Sequence, residues 1–332
     1  MSTAASALPV FTKSVDLPVT PDEAFALVTQ PERLRRWKTV AATVDLRAGG
    51  AYRWTVTPGH IAVGTFREIE PGKRIVYGWG WEGSPDLEPD ASTVTLTIEP
   101  TDSGSRVTLV HEGLTEEQAV LHGEGWNHYF ERLERFATTG DAGPDEWAAA
   151  PADLNPLTAA EASLAVLQPV LRALTAEDRP KPTPCSDFTC HELAEHLMCS
   201  LVGLGAMAGA TVVNPEEGSL ENRISVMASQ AIDAWRARGL EGEVETPGGA
   251  LPAAAGPTIL ALECLLHAWD FAQATGHTIV ASDVLVDYVR DLGAPLIEGG
   301  RGRAFGTEHI APDGTSALER LAAFSGRVHA AA

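Results

Sequence analysis

Three side chains able to bind a metal or move a proton fall on one face of a single helix-forming stretch. Glu263, His267 and Asp270 lie four and three residues apart within GPTILALECLLHAWDFAQATG, residues 256–276, and residues at that spacing project from the same side of an α-helix. Pro257 suits the first helical position, and Gly276 suits the left-handed residue just past the end. The remaining positions are apolar all round, the pattern of a buried helix. A buried carboxylate is costly unless it is paired or bound to a metal. Glu-x-x-x-His on a buried face therefore reads as half of a metal site.

His196 supplies the other half. It lies on the apolar face of a helix that opens with the capping box Thr189-Cys190-His191-Glu192 and turns Leu193, Leu197, Ser200 and Leu204 inward. Two histidines and one carboxylate from two helices leave coordination positions open, the arrangement of a catalytic rather than a structural metal. Mixed nitrogen and oxygen donors suit a divalent ion, zinc first, with iron, nickel and manganese as alternatives. Asp270, one turn beyond His267, either orients an imidazole from behind or takes a further ligand position. The competing reading makes the histidines plain core and pairs Glu263 with an arginine. Cys185, in a loop, and Cys190, in a first helical turn, read as structural thiols, and Glu308-His309 as surface.

The elements that must position these groups are helical. A capping box at Thr158 to Glu161 opens a helix over 158–174, a Pro-rich loop follows to Asp187, and a third helix runs Leu220–Arg238. A Gly/Pro/Ala loop, 241–256, leads into the central stretch. Two shorter helices are expected at 282–292, stopped by Gly293 and Pro295, and at 316–324. Four long helices joined by loops suggest a bundle whose interior carries the site. Residues 138–157, rich in Gly, Pro, Ala and Asp, read as a linker.

The first half has a different period. Residues 11–17 alternate like a strand, two short helices follow, and from Thr43 the chain alternates for about seventy residues between Gly- and Pro-rich turns. Ile75, Tyr77, Trp79 and Trp81 share one strand face, and Val107, Leu109 and His111 share another. A helix over 115–136 turns Trp126, Phe130, Leu133 and Phe136 to one side. Strand, helices, antiparallel strands and a long closing helix make an α+β unit around a cavity, with Tyr77, Trp79, Trp81 and His111 as candidate pocket lining. His60, His111, His122 and His128 are the candidates for chemistry in this half, and each also reads as a satisfied or solvated histidine.

Composition narrows the partners. The 332 residues suffice for two domains, and 24 basic against 45 acidic residues give a formal charge of −21. That charge disfavours nucleic acid and anionic membranes, leaving a small molecule as the expected partner and the oligomeric state open. The opening MSTAASALPV has no export pattern, no apolar run reaches membrane-spanning length, and four cysteines without a C-x-x-C read as cytosolic thiols, so the expected location is cytoplasmic.

Two resemblances extend this reading. PxEAFxLVTxPERLxRW, GTFREIEPGKRIVYGW and RVTLVHEGL…HGEGWNHYFERL make residues 9–137 similar to the START-like (SRPBCC) helix-grip superfamily, in the branch named for an activator of a heat-shock ATPase. This implies a curved antiparallel sheet around a long terminal helix, binding apolar small molecules. TPCSDFTCHELAEHL, ECLLHAWDFAQATG and LERLAAFSGR make residues 158–328 resemble the DinB-like superfamily, an all-α four-helix bundle, in its mycothiol-dependent maleylpyruvate isomerase branch. That resemblance implies metal ligands at His196, Glu263 and His267 and a low-molecular-weight thiol cosubstrate. The function expected is thiol-dependent isomerase or transferase chemistry at a His2Glu site. The alternative is a non-catalytic binder of hydrophobic small molecules with a structural metal.

Overall fold

The structure, a computed structural model, describes residues 9–185, 188–246, 248–312 and 314–328. Most of the opening MSTAASALPV, and Ser186 and Asp187 of TPCSDFTC, lie outside the described residues. The chain forms two compact units, Met1–Gly143 and Pro144–Ala332.

The first unit is one antiparallel sheet with a long helix. Its strands are β1 (Phe11–Leu17), β2 (Ala41–Val44), β3 (Ala51–Thr57), β4 (His60–Glu70), β5 (Arg74–Trp81), β6 (Ser92–Thr101) and β7 (Gly104–Glu112), in spatial order β1-β7-β6-β5-β4-β3-β2. Only β1 is out of sequence, pairing with β7 from Phe11 opposite His111 to Leu17 opposite Ser105. Between β1 and β2 lie α1 (Pro21–Thr29), capped by the Thr20 side chain with proline at its start, and α2 (Pro31–Leu34). The closing helix α3 (Glu116–Thr139) starts at a Thr115–Gln118 capping box and ends at left-handed Gly140. It buries Gly123, Trp126, Tyr129, Phe130 and Leu133 at helical spacing, in one core with Trp54, Tyr77 and Trp79 of the strands. A side chain at Gly123 would meet the Phe11 ring at 3.0 Å, so glycine lets α3 approach β1.

The second unit is helical. After α4 (Glu146–Ala149) come α5 (Pro156–Ala173), α6 (Cys190–Met207), α7 (Leu220–Arg238), α8 (Ala255–Thr275), α9 (Asp283–Gly299) and α10 (Ala317–Phe324). Here α5 packs on α7 and α8, α6 on the same two, and α9 on α8. In α8, sixteen residues from Ala255 to Ala272 are buried, and the left-handed Gly276 ends it.

Four local expectations are corrected. Helix α5 starts at Pro156 under an Asn155 cap, because the Asn155 side chain takes the Leu157 and Thr158 N–H groups; Glu161 is buried and pairs with Arg236 of α7 instead of capping. Helix α8 starts two residues before Pro257. Helix α9 runs through Gly293 and Pro295: a side chain at Gly293 would meet Leu262 at 2.8 Å, so that glycine is a contact between α9 and α8 rather than a stop. The loop at 241–256 holds a hairpin, β8 (Glu243–Thr246) and β9 (Gly249–Pro252), whose four-residue strands are too short to show an alternation. Val244 anchors it beside Trp235.

Candidate functional site

Helices α6 and α8 bring His196, Glu263 and His267 together. Glu263 Oε2 lies 3.2 Å from His267 Nε2 and 3.7 Å from His196 Nε2, and one donor atom from each residue falls within 4.8 Å of the others. Exposure is graded across the group: the side chain is 4% exposed at His267, 20% at Glu263 and 37% at His196, so the cluster opens on the α6 side. Phe188 stacks on the His196 ring at 5.0 Å.

The hydrogen-bond network fixes the polarity of this cluster. Asp270 is buried, and its Oδ2 lies 3.0 Å from His267 Nδ1. The Arg327 guanidinium donates to the same carboxylate from Nε and Nη2 at 2.9–3.1 Å and to Ser325 Oγ from Nη1. A carboxylate held by arginine only accepts, so His267 Nδ1 carries a hydrogen and donates it. In the neutral ring Nε2 then presents a lone pair to Glu263 Oε2, a buried oxygen with no hydrogen-bond donor. In that form two acceptors face one another, and either a bound cation or a second proton on Nε2 resolves the contact. Without a metal a second proton takes that place. Burial alone would lower His267, but the hydrogen bonds and charges of Asp270 and Glu263 raise it to about 9. Burial opposes charge on Glu263 too, yet the two histidines hold it below the usual carboxylate range. Burial lowers His196, which keeps a neutral imidazole ready to donate its lone pair. The donor set thus fits a divalent ion, and Asp270 is the orienting group behind His267. Cys185 places its sulfur within 4.8 Å of His267 and Asp270 donor atoms. Burial pushes the Cys190 and Cys264 thiols up, against a reactive role for either.

In the first unit the four pocket candidates lie together on the sheet. Tyr77 and Trp79 are buried in a run of aromatic contacts with Tyr52, Trp54 and Trp126, and Trp81 is half-buried. His111 is fully buried. The Trp126 indole N–H donates to its Nδ1 at 3.1 Å, so Nε2 carries the hydrogen and donates to Ser92 Oγ at 2.9 Å, which in turn donates to the Trp79 carbonyl at 3.0 Å. Burial, then the nearby His122 and Lys38, lowers it to about 3. His122 is fixed in the same way, accepting from Trp81 Nε1 at 3.2 Å and donating from Nδ1 to the Gln118 carbonyl. His60 bonds Thr57 at the surface, and His128 rests on the Tyr129 ring.

The family model for activator of Hsp90 ATPase homolog 1-like proteins (AHSA1) matches residues 18–138. These residues form an AHSA1-like domain. Among solved structures, the chain is similar to an AHSA1-like protein of Rhizobium etli at 35% identity, over 46% of this chain and 98% of that one, with a TM-score of 0.37. It is also similar to CalU16 of Micromonospora echinospora at 27% identity, over 40% and 76%, with a TM-score of 0.32. An uncharacterized protein of Mycobacterium tuberculosis is 28% identical over 180 residues, 52% of this chain and 98% of its own.

Two residues that sequence reasoning did not select hold key positions. In the AHSA1-like domain, Lys38 is 4% exposed and its ammonium sits among the rings of Trp54, Trp79 and Trp126. No local pattern marks a lysine that follows a short helix as buried. In the helical unit Arg327 closes the LERLAAFSGR segment, whose motif was visible, but its partner lies 57 residues away. Among the described residues no helix is long and apolar enough to cross a membrane.

Proposed function

We propose that the helical unit is a divalent-metal-dependent enzyme domain of the DinB-like, mycothiol-dependent maleylpyruvate isomerase type, working in the cytoplasm on a small molecule. One observation carries this reading: His196, Glu263 and His267 bring one donor atom each within 4.8 Å of the others, with Glu263 Oε2 3.2 Å from His267 Nε2 and 3.7 Å from His196 Nε2. His196, Glu263 and His267 would hold the ion, zinc first among the candidates. A bound ion of that kind lowers the pKa of a thiol or water and polarises a substrate oxygen. The chain's own residues do the rest. Asp270, locked by Arg327, fixes the His267 tautomer and aims Nε2. The graded exposure leaves approach for substrate and a low-molecular-weight thiol on the His196 side. The reaction class is isomerisation or group transfer dependent on that thiol, while the AHSA1-like domain binds an apolar ligand.

Elemental analysis of the purified chain tests the site. About one equivalent of zinc or another divalent metal is expected after reconstitution, and its absence overturns the reading. A second reading, a non-catalytic carrier with a structural metal, needs a fourth side chain to close the shell, such as Cys185, which groups with His267 and Asp270 rather than with His196 and Glu263. X-ray absorption at the metal edge separates the two: nitrogen and oxygen neighbours alone favour the open site, and a sulfur neighbour favours the closed one.

A further inference from the structure

Lys38 presents an unusual imbalance. Its ammonium lies 4.3 Å from the ring centroid of Trp54 on β3, 4.4 Å from that of Trp126 on α3, 5.0 Å from that of Trp79 on β5 and 6.0 Å from that of Trp37. Ring faces attract the charged form, but they supply no hydrogen-bond acceptor for its N–H groups, and burial alone leaves the amine neutral. Among the described residues Lys38 has no carboxylate or carbonyl partner, and His111 nearby is neutral with both nitrogens engaged.

The four tryptophans around it divide in two. Trp37 donates its N–H to the Leu27 carbonyl at 3.0 Å, and Trp126 donates to His111. Trp54 and Trp79, both on the sheet and 2–3% exposed, bury their indole N–H without an acceptor. The fifth tryptophan of the domain, Trp81, is satisfied by His122. So two of the three indoles within 5.0 Å of the amine, Trp54 and Trp79, have unmet donors. Buried donors without acceptors are costly, and two of them on rings beside one amine would be matched by an oxyanion brought from outside. A cationic head would be repelled. The aromatic surround suits an apolar body behind a head of single charge.

We propose that the interior of the AHSA1-like domain takes an apolar carboxylic acid, its carboxylate oxygens meeting the Lys38 amine and the indole N–H groups of Trp54 and Trp79. This rests on the reading that the domain binds an apolar ligand, and adds the class of its head group. Burial holds the Lys38 pKa well below its ordinary value, so the amine is neutral when nothing faces it. Arrival of a carboxylate makes the charged form favourable, and one proton from solvent completes the ammonium–carboxylate pair.

Calorimetric titration of the full chain tests this with benzoate, 1-naphthoate and decanoate, each beside the neutral alcohol of the same skeleton. At least one carboxylate is expected to bind tenfold or more tighter than its alcohol, with close to one proton taken up on comparing buffers of different ionisation enthalpy. In Lys38→Met, folded by circular dichroism, the preference should shrink to within twofold and the proton uptake vanish. Equal binding of acids and alcohols to the wild type, or a preference surviving in the variant, overturns the carboxylate assignment while leaving an apolar-ligand domain standing. Binding of none of the six probes overturns both.

Discussion

The helical unit and the AHSA1-like domain each bury a polar cluster with something missing, and the missing charge has opposite sign. Around Glu263 the surplus is of acceptors: a carboxylate oxygen beside two imidazoles, a set that calls for a proton or a metal cation. Around Lys38 it is of donors: an amine and two indole N–H groups. Both clusters stand beside a fully satisfied chain, Arg327–Asp270–His267 in one and Trp126–His111–Ser92 in the other. The satisfied chain fixes orientation, and the unsatisfied remainder states the polarity of the partner. Since proteins seldom leave buried polar atoms unmatched, the sign of the surplus is informative in itself.

The sharpest way to break the contrast is to remove the acceptor surplus. His267→Ala should lose the bound equivalent of metal altogether by elemental analysis while circular dichroism remains that of the wild type; full metal content in that variant would remove His267 from the site. Next in size is Arg327→Met. It strands Asp270 as a buried charge with His267 alone, so the helical unit should lose about 3–5 kcal/mol in chemical denaturation. Metal affinity should also drop by about 10–100-fold, as for other groups that orient a ligand. A loss of stability without any change in affinity would make Arg327 a purely structural residue.

The AHSA1-like domain should respond to pH through its satisfied chain. His111 is held at about 3 by burial, against about 6.5 for an unfolded histidine. Above pH 6.5 both states are neutral there and the group contributes nothing. As pH falls from 6.5 toward 3 the unfolded chain takes a proton the native one refuses, so stability declines by up to about 1.4 kcal/mol per pH unit. His122, also lowered by burial, acts in the same direction. Replacing His111 with Gln should flatten this slope in urea titrations at pH 7, 6 and 5, read from the amide I band of the sheet. An unaltered slope would assign the acid response elsewhere. The smallest effect is expected for Trp81→Phe, which removes one hydrogen bond to His122 and should cost about 1 kcal/mol; a cost several times larger would show that Trp81 anchors the sheet face.

What could be read along the chain was whatever repeats or ends locally. The alternation of Arg74–Trp81, the cap at Thr189 and the all-round apolar pattern of 256–276 each depend on neighbours within four residues. So does the pairing of Glu263 with His267, one helical turn apart. Local rules misled where a distant partner intervened: Glu161 turned from a cap to Arg236, and Gly293 became a contact with Leu262 instead of a stop.

Tertiary structure alone decided which polar groups are satisfied. That His196 reaches Glu263, that Arg327 neutralises Asp270, and that Lys38 stands among rings from β3, β5 and α3 all depend on segments far apart in sequence. Burial and hydrogen bonding are properties of the packed chain, and a residue's cost or usefulness as a buried charge is set by who arrives beside it. Residue types and their spacing named the donors for a metal; only packing showed that they lie within reach of one another and how deeply each is buried.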